Sequence, residues 1–198
     1  YKCLRECPVK AIKVVDHHAK IIESRCILCG HCTEVCPQNA KSVHTERAEV
    51  EKLLAGGNVV ASVAPSFVSS FNLQDFSVMK LALGFADAEE TSIGAREVTA
   101  QYKKLLESGT YKNFITSCCP AVNTMIELYY PKALDYLAPV DTPMIAHAKM
   151  IRKKRKNAKV VFIGPCIAKK REAHESGVVD GVLTFEDLAL MFADKGIV

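Results

Sequence analysis

No stretch of about 18 apolar residues occurs in this chain, so it holds no segment suited to crossing a bilayer as a helix. No positively charged start followed by an apolar core is visible either, so these residues show no secretory signal. Charge of one sign is scarce too: a net +4 over 198 residues is too mild to argue for nucleic acid. The first residue is Tyr1 rather than Met, so the natural start is expected upstream. What remains is ordinary globular composition, 49% hydrophobic and 24% charged, enough for one good core and a small appendage.

Cysteine is abundant and uneven. Of nine, Cys3, Cys7, Cys26, Cys29, Cys32 and Cys36 fall in the first 36 residues; Cys118, Cys119 and Cys166 are scattered beyond. A secreted disulfide framework is usually smaller and evenly stapled. Short Cys-x-x-Cys spacings ahead of a long cysteine-poor stretch fit metal ligation in a reducing compartment, the cytoplasm, better.

Residues 1–45 read as a unit with an internal repeat, Cys7-Pro8-Val9-Lys10-Ala11 echoed by Cys36-Pro37-Gln38-Asn39-Ala40. Ile12–Val15 and Ala19–Ile22 read as short strands around Asp16, His17 and His18. Such a unit has little core, so a bound cofactor must supply its stability. From 46 to 198 strand and helix patterns alternate. Strands are expected at Val59–Val63, Phe114–Thr116, Val160–Ile163 and Val178–Leu183. Helices are expected at 46–54, Asp75–Leu83, Glu97–Leu106, Pro120–Tyr130 and Ile145–Lys156. A last helix should be capped by Thr184 with Asp187 at N3. The fold class is therefore an α+β ferredoxin-like mini-domain that would hold two clusters, then an α/β lobe with a mostly parallel sheet flanked by helices.

Cys26-x-x-Cys29-x-x-Cys32-x-x-x-Cys36-Pro37 is the bacterial ferredoxin spacing. The fourth cysteine of that run serves the other cluster of a pair. One 4Fe–4S cluster should thus use Cys26, Cys29, Cys32 and Cys7. The other should use Cys36, Cys3 and two cysteines upstream of Tyr1, which implies a chain truncated at its start. The alternative is a one-cluster protein with a degenerate first motif. A zinc knuckle fits less well, given the third cysteine and the Cys-Pro step. His17, His18 and His31 read as hairpin tip and spacer.

Two further motifs place cysteines where a strand gives way to a helix: Thr116-Ser117-Cys118-Cys119-Pro120 and Gly164-Pro165-Cys166-Ile167-Ala168-Lys169-Lys170-Arg171-Glu172. Helix starts stabilise thiolates and anionic clusters, and parallel sheets build sites at strand carboxyl ends. Buried packing is the plainer reading of these three thiols.

With these motifs in order after the ferredoxin repeats, the chain resembles iron-only (FeFe) hydrogenases over essentially its whole length. The resemblance implies an H-cluster, a 4Fe–4S cubane joined to a diiron unit with CO and CN ligands. It implies Cys119 and Cys166 as cubane ligands, Cys118 as the proton-relaying thiol, Lys169 as donor to a cyanide, and Glu172 as a buttress. It also implies that Ala64, Pro65 and Ser66 form a loop against the diiron unit. Departures accompany it. Gly164 stands where active members usually carry Met, Ala121-Val122 where Gly-Trp is usual, and Pro143-Met144 where Pro-Gln is usual. Arg96 and Thr99 occupy the positions of the two proton-path glutamates, with Glu97 off register. The third motif, with the remaining cubane ligands, is absent, so the chain reads as a fragment at both ends and is expected not to turn over hydrogen alone.

Arg152–Lys156 reads as a solvated helix end complementing the dipole, or as a docking patch for an acidic redox partner such as a ferredoxin-like donor or acceptor. His147 reads as a packed residue. Two functions compete: hydrogen conversion or sensing fed by ferredoxin clusters, and a non-catalytic iron–sulfur or cluster-assembly protein of similar fold. Cys118 argues against the second, because the resembling assembly factors often carry Ala there.

Overall fold

The computed structural model describes residues 1–72 and 76–197. It opens with α1 (Lys2–Glu6), a hairpin of β1 (Ile12–Val15) and β2 (His18–Ile21), and α2 (His31–Glu34). Asp16 and His17 both have positive φ, 49° and 59°, as a two-residue type I′ turn requires. The hairpin is the expected one shifted by a residue: His18 pairs with Val15 rather than sitting at the tip. Its core is small, with Cys3, Cys7, Ala11 and Ile12 as the buried members.

The chain continues with α3 (Arg47–Ala55), β3 (Val59–Val63), α4 (Ser77–Leu83), β4 (Asp87–Glu90), α5 (Ser92–Glu107) and α6 (Pro120–Tyr129). It ends with α7 (Pro143–Lys154), β5 (Lys159–Ile163), α8 (Ala168–Ser176), β6 (Gly181–Leu183) and α9 (Phe185–Asp194). Most expected elements are present. Of the helix expected over Asp75–Leu83, Asp75 lies outside the described residues. The helix expected from Glu97 begins at Ser92, and the strand expected from Val178 begins at Gly181 as β6, with Arg152 donating to the Val178 carbonyl at 2.9 Å. Two corrections are larger. β4 was not expected, since Asp87-Ala88-Glu89-Glu90 has no apolar alternation. Conversely, Phe114–Thr116 is no strand: Ile115 makes only an isolated bridge to Leu137. That segment is held by Tyr102, whose ring stacks on Phe114 at 5.5 Å.

The four lobe strands form one parallel sheet in the order β4-β3-β5-β6. The β-branched runs of β3 and β5 are buried on both faces, as parallel strands require. On the Ser62 face α7 covers the sheet; on the other, Val50 of α3 packs so closely that a Cβ at Gly181 would lie 2.9 Å from it. The chain leaves β3 for β4 on one side, then returns past β3 to β5 and β6 on the other. The crevice beyond the carboxyl ends of β3 and β5 is therefore the switch point where such sheets bind ligands. Thr184 and Asp187 close a capping box at the start of α9, as expected. Burial opposes ionisation of Asp187, but hydrogen bonds from Thr45 and Thr184 and the Lys170 charge outweigh it and hold the carboxyl below its ordinary range.

His147 is packed, as expected, but within a buried polar chain. Its Nδ1 lies 2.8 Å from Ser62 Oγ, its Nε2 3.2 Å from Glu89 Oε2, and Ser62 Oγ 2.8 Å from Thr91 Oγ1. A carboxylate only accepts, so Nε2 carries the proton and Nδ1 accepts from Ser62. Burial pushes the His147 pKa down, against the pull of Glu89. The folded state therefore keeps His147 neutral at pH values where the unfolded chain, titrating near about 6.5, takes a proton. Stability should fall as pH drops below about 6.5. Urea midpoints measured from pH 8 to 5 should show this slope, and His147→Gln should lose that share of it.

Candidate metal centre

The N-terminal unit brings four thiols to one cavity. Cys7, Cys26, Cys29 and Cys32 line a space of about 290 Å³ whose other walls include Val9, Ala11, Ile12, Ile21 and Ile27. Cys7 follows α1, Cys26 and Cys29 lie on the loop before α2, and Cys32 is on α2. Gly30 (φ 81°) caps that helix in the left-handed region, where a β-carbon is disfavoured. Backbone amides point at two of the sulfurs: Ala11 N donates to Cys7 Sγ at 3.3 Å and Leu28 N to Cys26 Sγ at 3.4 Å. No cysteine is paired as a cystine. Burial, then the charges of Cys26 and Cys29, push the Cys32 thiol up. Four thiolates so gathered repel one another unless a cation sits among them. Among the described residues no three His, Cys, Asp or Glu side chains meet as a single-ion site; the four cysteines line a cavity instead, which suits a cluster. The site fits a 4Fe–4S cube.

Cys3 and Cys36 line a separate space of about 460 Å³ with Tyr1, His17, His18 and Lys41. Ala40 N donates to Cys36 Sγ at 3.3 Å, and amides of Ala40 and Gln38 draw that thiol's pKa down. Two thiols are half of a cluster's ligand set.

Two of the lobe motifs meet at the switch point. Ala64-Pro65-Ser66 leaves β3, and Gly164-Pro165-Cys166 leaves β5. They touch: Ala64 N donates to the Ile163 carbonyl at 2.8 Å, and a Cβ at Gly164 would lie 2.9 Å from both the Ala64 Cβ and the Phe162 ring. Phe162 thus fills space that a side chain at 164 would need. Cys118 is exposed, while Cys119 and Cys166 are half-buried before the starts of α6 and α8. The expectation that the Cys118–Cys119 pair ends a sheet strand is corrected, since Ile115 lies outside the sheet. The pair still reaches α8. Buried Lys169, 8% exposed, donates from Nζ to Glu172 Oε2 at 2.7 Å and to the Cys118 carbonyl at 3.4 Å. Arg96, Glu97 and Thr99 are exposed on α5, and Thr99 Oγ1 merely bonds the Ala95 carbonyl.

Several supporting residues were not foreseen. Ser117 is buried, donates to the Val140 carbonyl at 2.7 Å, and gives its backbone N–H to Tyr102 Oη at 3.0 Å. Asn123 Nδ2 donates to the Ser117 carbonyl at 3.0 Å. The small hydroxyl beside two cysteines was the available signal for Ser117; Tyr102 and Asn123 carried none. The basic run is mostly paired within its own lobe: Arg152 with Asp180, Lys154 with Glu89, and Arg155 with Asp87.

Comparison with known proteins decides the family. The profile of the iron only hydrogenase large subunit, C-terminal domain, matches residues 57–198, and that of the 4Fe-4S binding domain matches residues 19–42. The chain belongs to the iron-only hydrogenase family. The periplasmic [Fe] hydrogenase large subunit of Nitratidesulfovibrio vulgaris is 30% identical over 248 aligned positions, covering 91% of this chain and 59% of that protein. Iron hydrogenase 1 of Clostridium pasteurianum is 28% identical over 163 positions, 71% of this chain and 28% of that protein. A component of an ion-translocating oxidoreductase complex of Methanosarcina acetivorans is 46% identical over 39 residues, 20% of this chain and 15% of that protein. The chain thus spans less than two thirds of each relative. It is an iron–sulfur protein of electron-transfer type within the hydrogenase family. Among the described residues no helix is long and apolar enough to cross a membrane.

Proposed function

We propose that this chain passes electrons from ferredoxin-type clusters toward part of an H-cluster cradle, in a protein that interconverts protons and hydrogen or senses hydrogen. The observation that carries the reading is Lys169, whose ammonium links the Cys118 loop to the helix that follows Cys166. Residues 1–45 act as the ferredoxin unit and residues 46–198 as the hydrogenase lobe, in the cytoplasm. Cys7, Cys26, Cys29 and Cys32 hold one 4Fe–4S cluster. Cys3 and Cys36 contribute to a second.

In the lobe, Cys119 and Cys166 would hold the cubane, and Ala64, Pro65 and Ser66 would face the diiron unit. When bound, that group supplies the hydrogen chemistry itself. The chain's own residues do the rest. Cys118, the exposed thiol of the pair, holds and passes a proton at Sγ. Lys169 offers an ammonium to an anionic acceptor, and Glu172 fixes its direction. Gly164 and the exposed Arg96 and Thr99 favour a sensing or sluggish member, because pocket contacts and relay acids differ from those of active enzymes. Partners are then a ferredoxin-like donor or acceptor and hydrogen or protons. Infrared spectra of the matured full-length protein should show bands of bound CO and CN. A matured protein without them would defeat the hydrogenase reading and leave a non-catalytic iron–sulfur or cluster-assembly role.

A further inference from the structure

The N-terminal unit and the lobe meet through a few directed contacts. Tyr129, the last residue of α6, donates its hydroxyl to the Arg25 carbonyl at 2.7 Å and lies 3.4 Å from the Val9 carbonyl. Arg171, on α8, donates through Nη1 and Nη2 to the Cys26 carbonyl at 3.3 and 3.2 Å. Ile167 packs over Gly30, and it lines the four-thiol cavity together with Lys170. Cys29 and Cys166 line one groove between them. A single short helix therefore follows a cysteine of one motif while its fourth residue grips a cysteine of the other.

Arg171 has no direct ion-pair partner among the described residues: no carboxylate lies within ion-pair distance of it, and Glu172, its neighbour, is engaged by Lys169. Glu127 and Glu175 line the same groove without pairing to it. Reduction adds an electron to a cluster that its thiolates already make anionic. A cation aimed at the peptide of a ligand, and held there by no direct ion pair, favours the reduced form. Net charge and hydrogen bonding around the sulfurs are among the levers that set such potentials.

We propose that Arg171 is a positioning residue that raises the reduction potential of the cluster held by Cys7, Cys26, Cys29 and Cys32, while Tyr129 supplies a neutral clamp across the same interface. This rests on the iron–sulfur reading of that cavity. The lobe, not the ferredoxin unit, then tunes the cluster, with α8 setting the potential and α6 helping to fix the docking.

The test is a potentiometric titration followed by electron paramagnetic resonance, on the 198-residue chain reconstituted anaerobically with ferrous iron and sulfide. Arg171→Gln should shift the midpoint negative by roughly a tenfold change in the reduction equilibrium, about 59 mV for a one-electron couple. Arg171→Lys, which keeps the charge, should stay near wild type, and Tyr129→Phe should leave the midpoint unmoved. If Arg171→Gln takes up no cluster, Arg171→His carries the test. Its potential should fall relative to wild type as pH rises through about 6.5, where imidazole loses its charge. An unmoved midpoint in Arg171→Gln, a Lys variant as low as the Gln one, or a His variant with no extra pH dependence overturns the proposal. Failure of the wild-type chain to take up any cluster overturns the underlying reading instead.

Discussion

Alanine at Cys26 should reduce the iron bound in the four-thiol cavity from about four atoms per chain to near none. The cavity offers four sulfurs to a cluster that needs four, so it has no spare donor. Cys26 is also held on both sides: Leu28 N donates to its sulfur and Arg171 to its carbonyl. The loss should extend to local structure. The unit's buried members are Cys3, Cys7, Ala11, Ile12 and Ile27, too few to order residues 1–45 without a cofactor. The lobe has its own core around β3 and β5 and should survive. Limited proteolysis should therefore nick the Cys26→Ala protein before residue 45 and leave the remainder intact, whereas Cys118→Ala should keep both iron and protection. Iron content and a paramagnetic signal in Cys26→Ala equal to wild type would remove the cavity from consideration.

How far these features were readable in advance depends on the range of the interactions that make them. β3, β5 and the Thr184 cap were legible because β-branched runs and a capping box act within a few residues. The four-thiol grouping was legible because metal spacing is local and Cys7 follows from the pairing rule for bicluster ferredoxins. β4 was not, because Asp87–Glu90 owes its extended form to pairing with β3 rather than to apolar periodicity. Phe114–Thr116 misled for the converse reason: residues of high β propensity lie outside the sheet and stack on Tyr102 instead. Arg171 stood in the sequence only as a residue of the motif after Cys166, with no role of its own. Its partner is a carbonyl 145 positions away, and no local pattern announces such a contact.

Methionine at Lys169 should destabilise the lobe by about 3 kcal/mol, because it strands a carboxylate in a half-dry site. Glu172 lies 2.7 Å from the Lys169 ammonium, and the two side chains are only 15% and 10% exposed. Removing one member of a buried pair leaves the other without its counter-charge, while removing both costs far less. Lys169→Met with Glu172→Gln should accordingly recover most of the loss, and a double-mutant cycle in urea should give a coupling well above that of a surface pair. The second contact of Lys169, to the Cys118 carbonyl, predicts something further. That carbonyl belongs to the exposed thiol proposed to carry the proton, so Lys169→Met should also loosen the Cys118 loop and speed alkylation of its sulfur. Ser117, held by Tyr102 and Asn123, limits how far the loop can move, so the change should stay confined to Cys118 and its neighbours. Additive single effects below about 1 kcal/mol would mean that the pair behaves as a solvated surface bridge. Lys169 would then lack the fixed direction its proposed role demands.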